Sequence, residues 1–154
     1  MKTIVIYDSW YGNTEDIARA IAAAIPGVVE IFKVRELETV DIHGFDLIIV
    51  GSPTHGGLPT PLMQEFLDSI EPEALRHTLV ATFDTRVSIE WVRFIGFAAK
   101  RIADRLESQG GHVIVPPEGF SVHGKKGPLC AGELERAASW AKTLNQAVKQ
   151  LEKV

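Results

Sequence analysis

The chain has 154 residues, a formal net charge of −4 and a single cysteine, Cys130. That length suits one domain with a full core. The mild acidity argues against general nucleic-acid binding, and one cysteine excludes an intrachain disulfide framework or a multi-cysteine metal centre. The apolar run behind Met1-Lys2 is too short for a signal segment, and no stretch has the length of a membrane span. The expectation is a soluble cytoplasmic protein, one domain over residues 1–154, with no nucleic-acid or membrane partner.

In chain order, the first element is an apolar run, TIVIY at 3–7, which predicts a strand. Ile17, Ile21 and Ile25 then recur at helical spacing, and Pro26-Gly27 ends that helix. VVEIFKV at 28–34 alternates, as a strand near a sheet edge does, whereas DLIIVG at 46–51 is continuously apolar and reads as buried on both faces. Leu62, Phe66, Leu67 and Ile70 mark a second helix behind Pro59 and Pro61. TLVATF at 78–83 predicts a fourth strand. A helical pattern runs from Ala98 to Gly110-Gly111, and HVIV at 112–115 predicts a fifth strand. Leu134, Ala138, Ala141, Leu144, Val148 and Leu151 form a long final amphipathic helix. RVSIEWVRFI at 86–95 fits either the start of a helix or an apolar loop.

Strands alternating with helices predict an α/β fold with a parallel sheet. In such sheets ligands gather beyond the carboxyl ends of the strands, where strand order reverses. Three loops open there: DSWYGNT after the first strand, SPTHGG after the third, and DTRV after the fourth. The first has the chemistry of an anion site. It offers the hydroxyls of Ser9 and Thr14, the Asn13 amide, Gly12 for close backbone approach, and a helix N-terminus. No lysine or arginine lies in it, so neutral donors alone are expected to hold a phosphate. The same residues also fit a plain turn with an Asn or Thr helix cap. It is neither the Walker nor the dinucleotide glycine pattern. Gly56-Gly57 in the second loop allows backbone conformations closed to other residues. His43, His77, His112 and His123 lack metal-ligand spacing, and Cys130 and Trp140 read as packing residues.

Together DSWYGNTEDIA, DLIIVGSPTHGG, TLVATFDTR and GFSVHGKKGPLCAGELERAASWAKTL resemble the flavodoxins, over essentially the whole chain. The resemblance implies a flavodoxin-like three-layer α/β/α sandwich, a five-stranded parallel sheet of order 2-1-3-4-5, and non-covalent FMN. It places Ser9, Trp10, Tyr11, Gly12, Asn13 and Thr14 on the phosphate loop. Pro53, Thr54, His55 and Gly56 fall beside the inner flavin face, and Asp84, Thr85 and Arg86 near the pyrimidine end of the ring. It implies a short-chain member, without the insertion that splits the fifth strand of longer ones. The implied function is electron shuttling by a monomer between a flavin reductase donor and an acceptor oxidoreductase. The alternatives are an FMN-dependent NAD(P)H:quinone or flavin oxidoreductase, and a regulatory or interaction module without flavin. Two features depart from the pattern. His55 takes a position often aromatic and the third loop has no tyrosine, so that Trp91 or Phe94 either covers the outer face or packs as a helix or core residue. Arg86 and Arg93 replace acidic surroundings, which is expected to raise the flavin's second one-electron potential.

Overall fold

The computed structural model describes residues 1–39, 41–87 and 96–153. The chain runs β1 (Lys2–Tyr7), α1 (Asn13–Ala24), β2 (Val28–Lys33), two short 3-10 turns (Val34–Thr39 and Ile42–Gly44) and β3 (Leu47–Pro53). It continues through α2 (Pro61–Ser69), β4 (Leu79–Val87), α3 (Ala98–Ser108), β5 (His112–Val113), β6 (Glu118–Val122) and α4 (Glu133–Glu152). The sheet is parallel, in the order β2-β1-β3-β4-β5, with β6 also pairing β4. The alternating run 28–34 does form an edge strand, and the continuous runs at 3–7 and 46–51 form the central strands β1 and β3.

Alternate side chains of each central strand enter opposite layers, as the two-residue strand period requires. Val5, Ile49, Ala81 and Phe83 pack beneath Ile17 and Ile21 of α1 and Trp140 and Leu144 of α4. Ile4, Ile6, Ile48, Val50 and Val80 pack on the other face against Met63 and Leu67 of α2 and Ile102 and Leu106 of α3. Two apolar layers around one sheet make the three-layer sandwich. Thr60 caps α2, its hydroxyl accepting from the Met63 N–H, with Pro61 at the first helical position.

The fifth-strand position differs from the expected single strand at 112–115. His112 pairs with Leu79 and Val113 with Val80, and the Ile114 N–H still reaches the Val80 carbonyl at 3.1 Å. Pro116 and Pro117 then follow, and neither has an N–H to donate. Pairing resumes at Phe83 with Glu118 and runs to Val87 with Val122. The position is thus filled by two short strands around a proline break. β4 is correspondingly longer than the apolar run predicts, and its last residues carry the third loop to the edge of the site.

Candidate functional site

The first loop leaves β1 at Tyr7. Asp8, buried, accepts from the Ser9 N–H at 2.9 Å and from the Thr60 hydroxyl at 2.5 Å, so its carboxylate is occupied within the scaffold. The Ser9 Oγ accepts from the Gly12 N–H at 3.1 Å and the Glu15 N–H at 3.4 Å, which folds the loop onto the start of α1. Gly12 precedes the helix in the left-handed conformation, at φ 91°, and has no side chain to cap it; of the first helical N–H groups Ser9 takes that of Glu15. Neither Asn13 nor Thr14 serves as the cap that the sequence offered. The Asn13 and Thr14 N–H groups, which have no partner inside the helix, therefore meet no capping side chain. Thr14 is buried, and its hydroxyl lies 2.8 Å from that of Thr85, tying the first loop to the third.

The second loop follows β3. The Thr54 N–H donates to the Thr85 carbonyl at 2.9 Å, and the Thr54 hydroxyl accepts from the Ala98 N–H at 3.0 Å. His55 and Leu58 exchange backbone hydrogen bonds of 2.9 and 3.0 Å around Gly56 and Gly57, both at positive φ. The His55 ring stacks on Trp10, centroids 4.1 Å apart and planes 19° from parallel. Its Nε2 is buried without a hydrogen-bond partner. Burial, and then the charge of Lys125, hold His55 below its ordinary 6.5, so it is neutral at pH 7.

The third loop is set by a charge pair. Arg86 donates to both oxygens of the fully buried Asp84 at 2.7 Å, and the Ala99 N–H adds a bond of 2.9 Å. The guanidinium also lies 3.5 Å above the centre of the Phe97 ring. Burial raises the Asp84 carboxyl above the ordinary carboxylate range, against the pull of Arg86. The Arg86 charge is thus matched by a carboxylate, and the third loop does not present the lone cation that the sequence implies. Trp91, Arg93 and Phe94 lie outside the described residues.

These loops enclose a cavity of about 80 Å³. Its wall takes in Ser9, Trp10, Tyr11, Asn13 and Thr14, then Pro53, Thr54 and His55, then Thr85 and Arg86. Gly12 and Gly56 shape the turns behind the wall, and Asp84 lies beneath it rather than in it. Val87, the last residue of the DTRV loop, also lines the wall, and two wall residues come from outside the three loops: Val122 and Lys125. Lys125 adds a cation to the wall from outside the first loop. It arrives from the far end of the sequence, after β6. A larger hollow of about 490 Å³ lies between α2 and the connection from β2 to β3, lined by residues such as Leu37, Ile42, Leu62 and Phe66. It shares no residue with the strand-end loops.

Residues 4–116 match the flavodoxin domain. The chain belongs to the flavodoxin family. A flavodoxin of Maridesulfovibrio salexigens is 31% identical over 120 residues, covering 73% of this chain and 81% of that protein. The oxidised flavodoxin 1 of Bacillus cereus shares the fold at a TM-score of 0.77 and 20% identity, over 97% of this chain and 98% of that one. A flavodoxin from the domain Archaea does so at 0.76 and 21%, over 97% and 99%. As a flavodoxin, the protein binds FMN and carries electrons. Among the described residues no helix is long and apolar enough to cross a membrane.

The donor set fits FMN. The Asn13 and Thr14 N–H groups at a helix N-terminus, with neighbouring hydroxyls, suit a phosphate monoester. The unpartnered His55 nitrogen and the exposed Trp10 suit a polar heteroaromatic ring. A cavity of about 80 Å³ is nevertheless far below the ~300 Å³ at which small-molecule pockets begin. The Trp10–His55 stack takes up part of that space.

Proposed function

We propose that the three strand-end loops form the FMN site, with Ser9, Gly12, Asn13 and Thr14 around the 5′-phosphate. Pro53, Thr54, His55 and Gly56 flank the inner face of the ring, and Thr85 and Arg86 its pyrimidine end. Asp84 acts from below by fixing the Arg86 guanidinium. The observation that carries this reading is the start of α1, behind a glycine cap, in the wall of the cavity that His55 lines.

The bound flavin supplies the redox chemistry; the chain's residues bind it, orient it and limit its contact with water. The N–H groups of Asn13 and Thr14 would hold the phosphate by neutral hydrogen bonds. The Thr14–Thr85 hydroxyl pair holds the first and third loops at fixed separation. Trp10, half-exposed and stacked on His55, would flank the ring, and the unpartnered His55 Nε2 would be available to hydrogen-bond it. The protein then works as a cytoplasmic monomer that exchanges electrons with a reductase and an acceptor oxidoreductase.

The test is reconstitution. The apoprotein is expected to take up FMN stoichiometrically, with quenching of Trp10 emission that is absent in Trp10→Phe. Failure to take up FMN would remove the reading. Anaerobic mixing with NADH or NADPH should leave the flavin bands unchanged until a reductase is added; bleaching without one would make the protein an oxidoreductase.

A further inference from the structure

The return segment after β6 closes as a small hairpin. The His123 N–H donates to the Pro128 carbonyl, the Gly127 N–H to the Gly124 carbonyl and the Cys130 N–H to the Ser121 carbonyl, each at 2.9 Å. Its tip is docked on the first loop, since the Asn13 Nδ2 donates to the Lys126 carbonyl at 3.2 Å. Gly127, at φ 97°, makes that contact possible: a Cβ there would sit 2.6 Å from the Asn13 Oδ1. Lys125 and Lys126 are both exposed, and Lys125 forms part of the cavity wall that also takes in Ser9, Asn13, Thr14 and His55. Among the described residues Lys125 makes no salt bridge. Arg86, the other cation of the wall, is consumed by Asp84. The match to the flavodoxin domain ends at residue 116, before this hairpin.

We propose that Lys125 is a phosphate-holding residue, supplying to the cradle from the β6 hairpin a cation that, among the described residues, no carboxylate engages. The proposal rests on the FMN reading and adds a discriminating role: the chain prefers the phosphorylated flavin to riboflavin partly through this charge. A phosphate monoester approaches a charge of −2 at neutral pH. One lysine several ångströms away in a watery mouth then contributes about tenfold in affinity. The contribution shrinks with salt, because the screening length falls to about 10 Å at 0.1 M.

The experiment titrates apoprotein with FMN and with riboflavin at low and high salt, in the wild type and in Lys125→Gln, Lys125→Arg and Lys126→Gln. Lys125→Gln is expected to weaken FMN about tenfold at low salt and to leave riboflavin unchanged. Lys125→Arg should restore the FMN affinity, and Lys126→Gln should keep it. Unfolding midpoints of the apoproteins check that the hairpin stays in place. A Lys125→Gln protein that binds FMN like the wild type, or that loses FMN and riboflavin in parallel, overturns the proposal. A wild type that takes up no FMN overturns the cofactor reading as well, and is distinguished from the first two outcomes by the wild-type titration alone.

Discussion

Arg86 shows how a single side chain changes meaning between sequence and structure. In the sequence it is a cation in the third loop, expected to raise the flavin's potential. In the fold its fork closes on the buried Asp84, which accepts both of its bonds at 2.7 Å. Removing one partner of such a pair leaves an uncompensated buried charge, at a cost of about 3–5 kcal/mol. Arg86→Met is therefore expected to destabilise the apoprotein by about that amount at neutral pH in urea unfolding. The sign of the pH dependence follows from the raised Asp84 carboxyl. The folded state holds that proton more tightly than the unfolded chain does, so acid relieves the orphaned charge. The penalty should shrink as pH falls, and a penalty that grows on acidification would contradict the pairing. Gly51 is a second position where the neighbour decides. An added Cβ would lie 2.0 Å from the Phe83 ring. Gly51→Ala is expected to cost about 1–3 kcal/mol, read by denaturation and by a change in the emission of Trp140, whose ring meets Phe83 edge-on at 6.1 Å.

Elements were legible where one strand or helix carries its own pattern. The continuous apolar runs gave away β1 and β3 because both faces of each are buried. α2 announced itself through the spacing of Leu62, Phe66, Leu67 and Ile70 behind Pro59 and Pro61. β6 was not legible: Glu118, Gly119 and Ser121 interrupt its apolar residues, and its strand character comes from the distant edge of β4. The same non-local dependence hid Lys125, which reaches the site only because the hairpin folds back onto Asn13. What fastens this region is the start of α4. The Glu133 carboxylate accepts from the Ser121 N–H at 2.7 Å and from Arg136 at 2.7 and 2.9 Å. Arg136 also donates to Glu118 and to the Gly119 carbonyl. The Arg136 bonds, against the cost of burial and with help from the Ser121 N–H, hold the Glu133 carboxyl below its ordinary 4.5. A depressed carboxyl stabilises the fold above its unfolded value and loses that contribution as pH drops through the folded value. Glu133→Gln should lower stability by about 1–3 kcal/mol at neutral pH. The gap between variant and wild type is expected to close below pH 4.5 in urea titrations at stepped pH. A gap independent of pH would mean that the charge on Glu133 contributes nothing.

At the scale of the molecule, the sheet brings loops from residues 8–14, 53–57 and 84–87 to one edge, and the β6 hairpin closes it. Binding at that edge couples to the stability of the whole domain, because only the folded chain assembles it. FMN at a hundredfold excess over its Kd stabilises by about 2.7 kcal/mol. For a domain of this size that raises the Tm by roughly 5–11 °C. Ser9→Asp separates the phosphate from the rest of this coupling. A carboxylate at position 9 can still accept from the Gly12 and Glu15 N–H groups that the Ser9 Oγ serves, and a negative charge near a helix N-terminus is itself favourable. The apoprotein should thus melt close to the wild type. The same carboxylate repels a dianionic phosphate at the cradle, so the FMN-induced rise in Tm should vanish at that FMN concentration, while any rise produced by riboflavin persists. A full FMN response in Ser9→Asp would mean that the phosphate lies elsewhere and that the turn before α1 is only a turn. Loss of both responses would mean that the substitution had disturbed the ring site, which the Trp10–His55 contact reports separately through tryptophan emission.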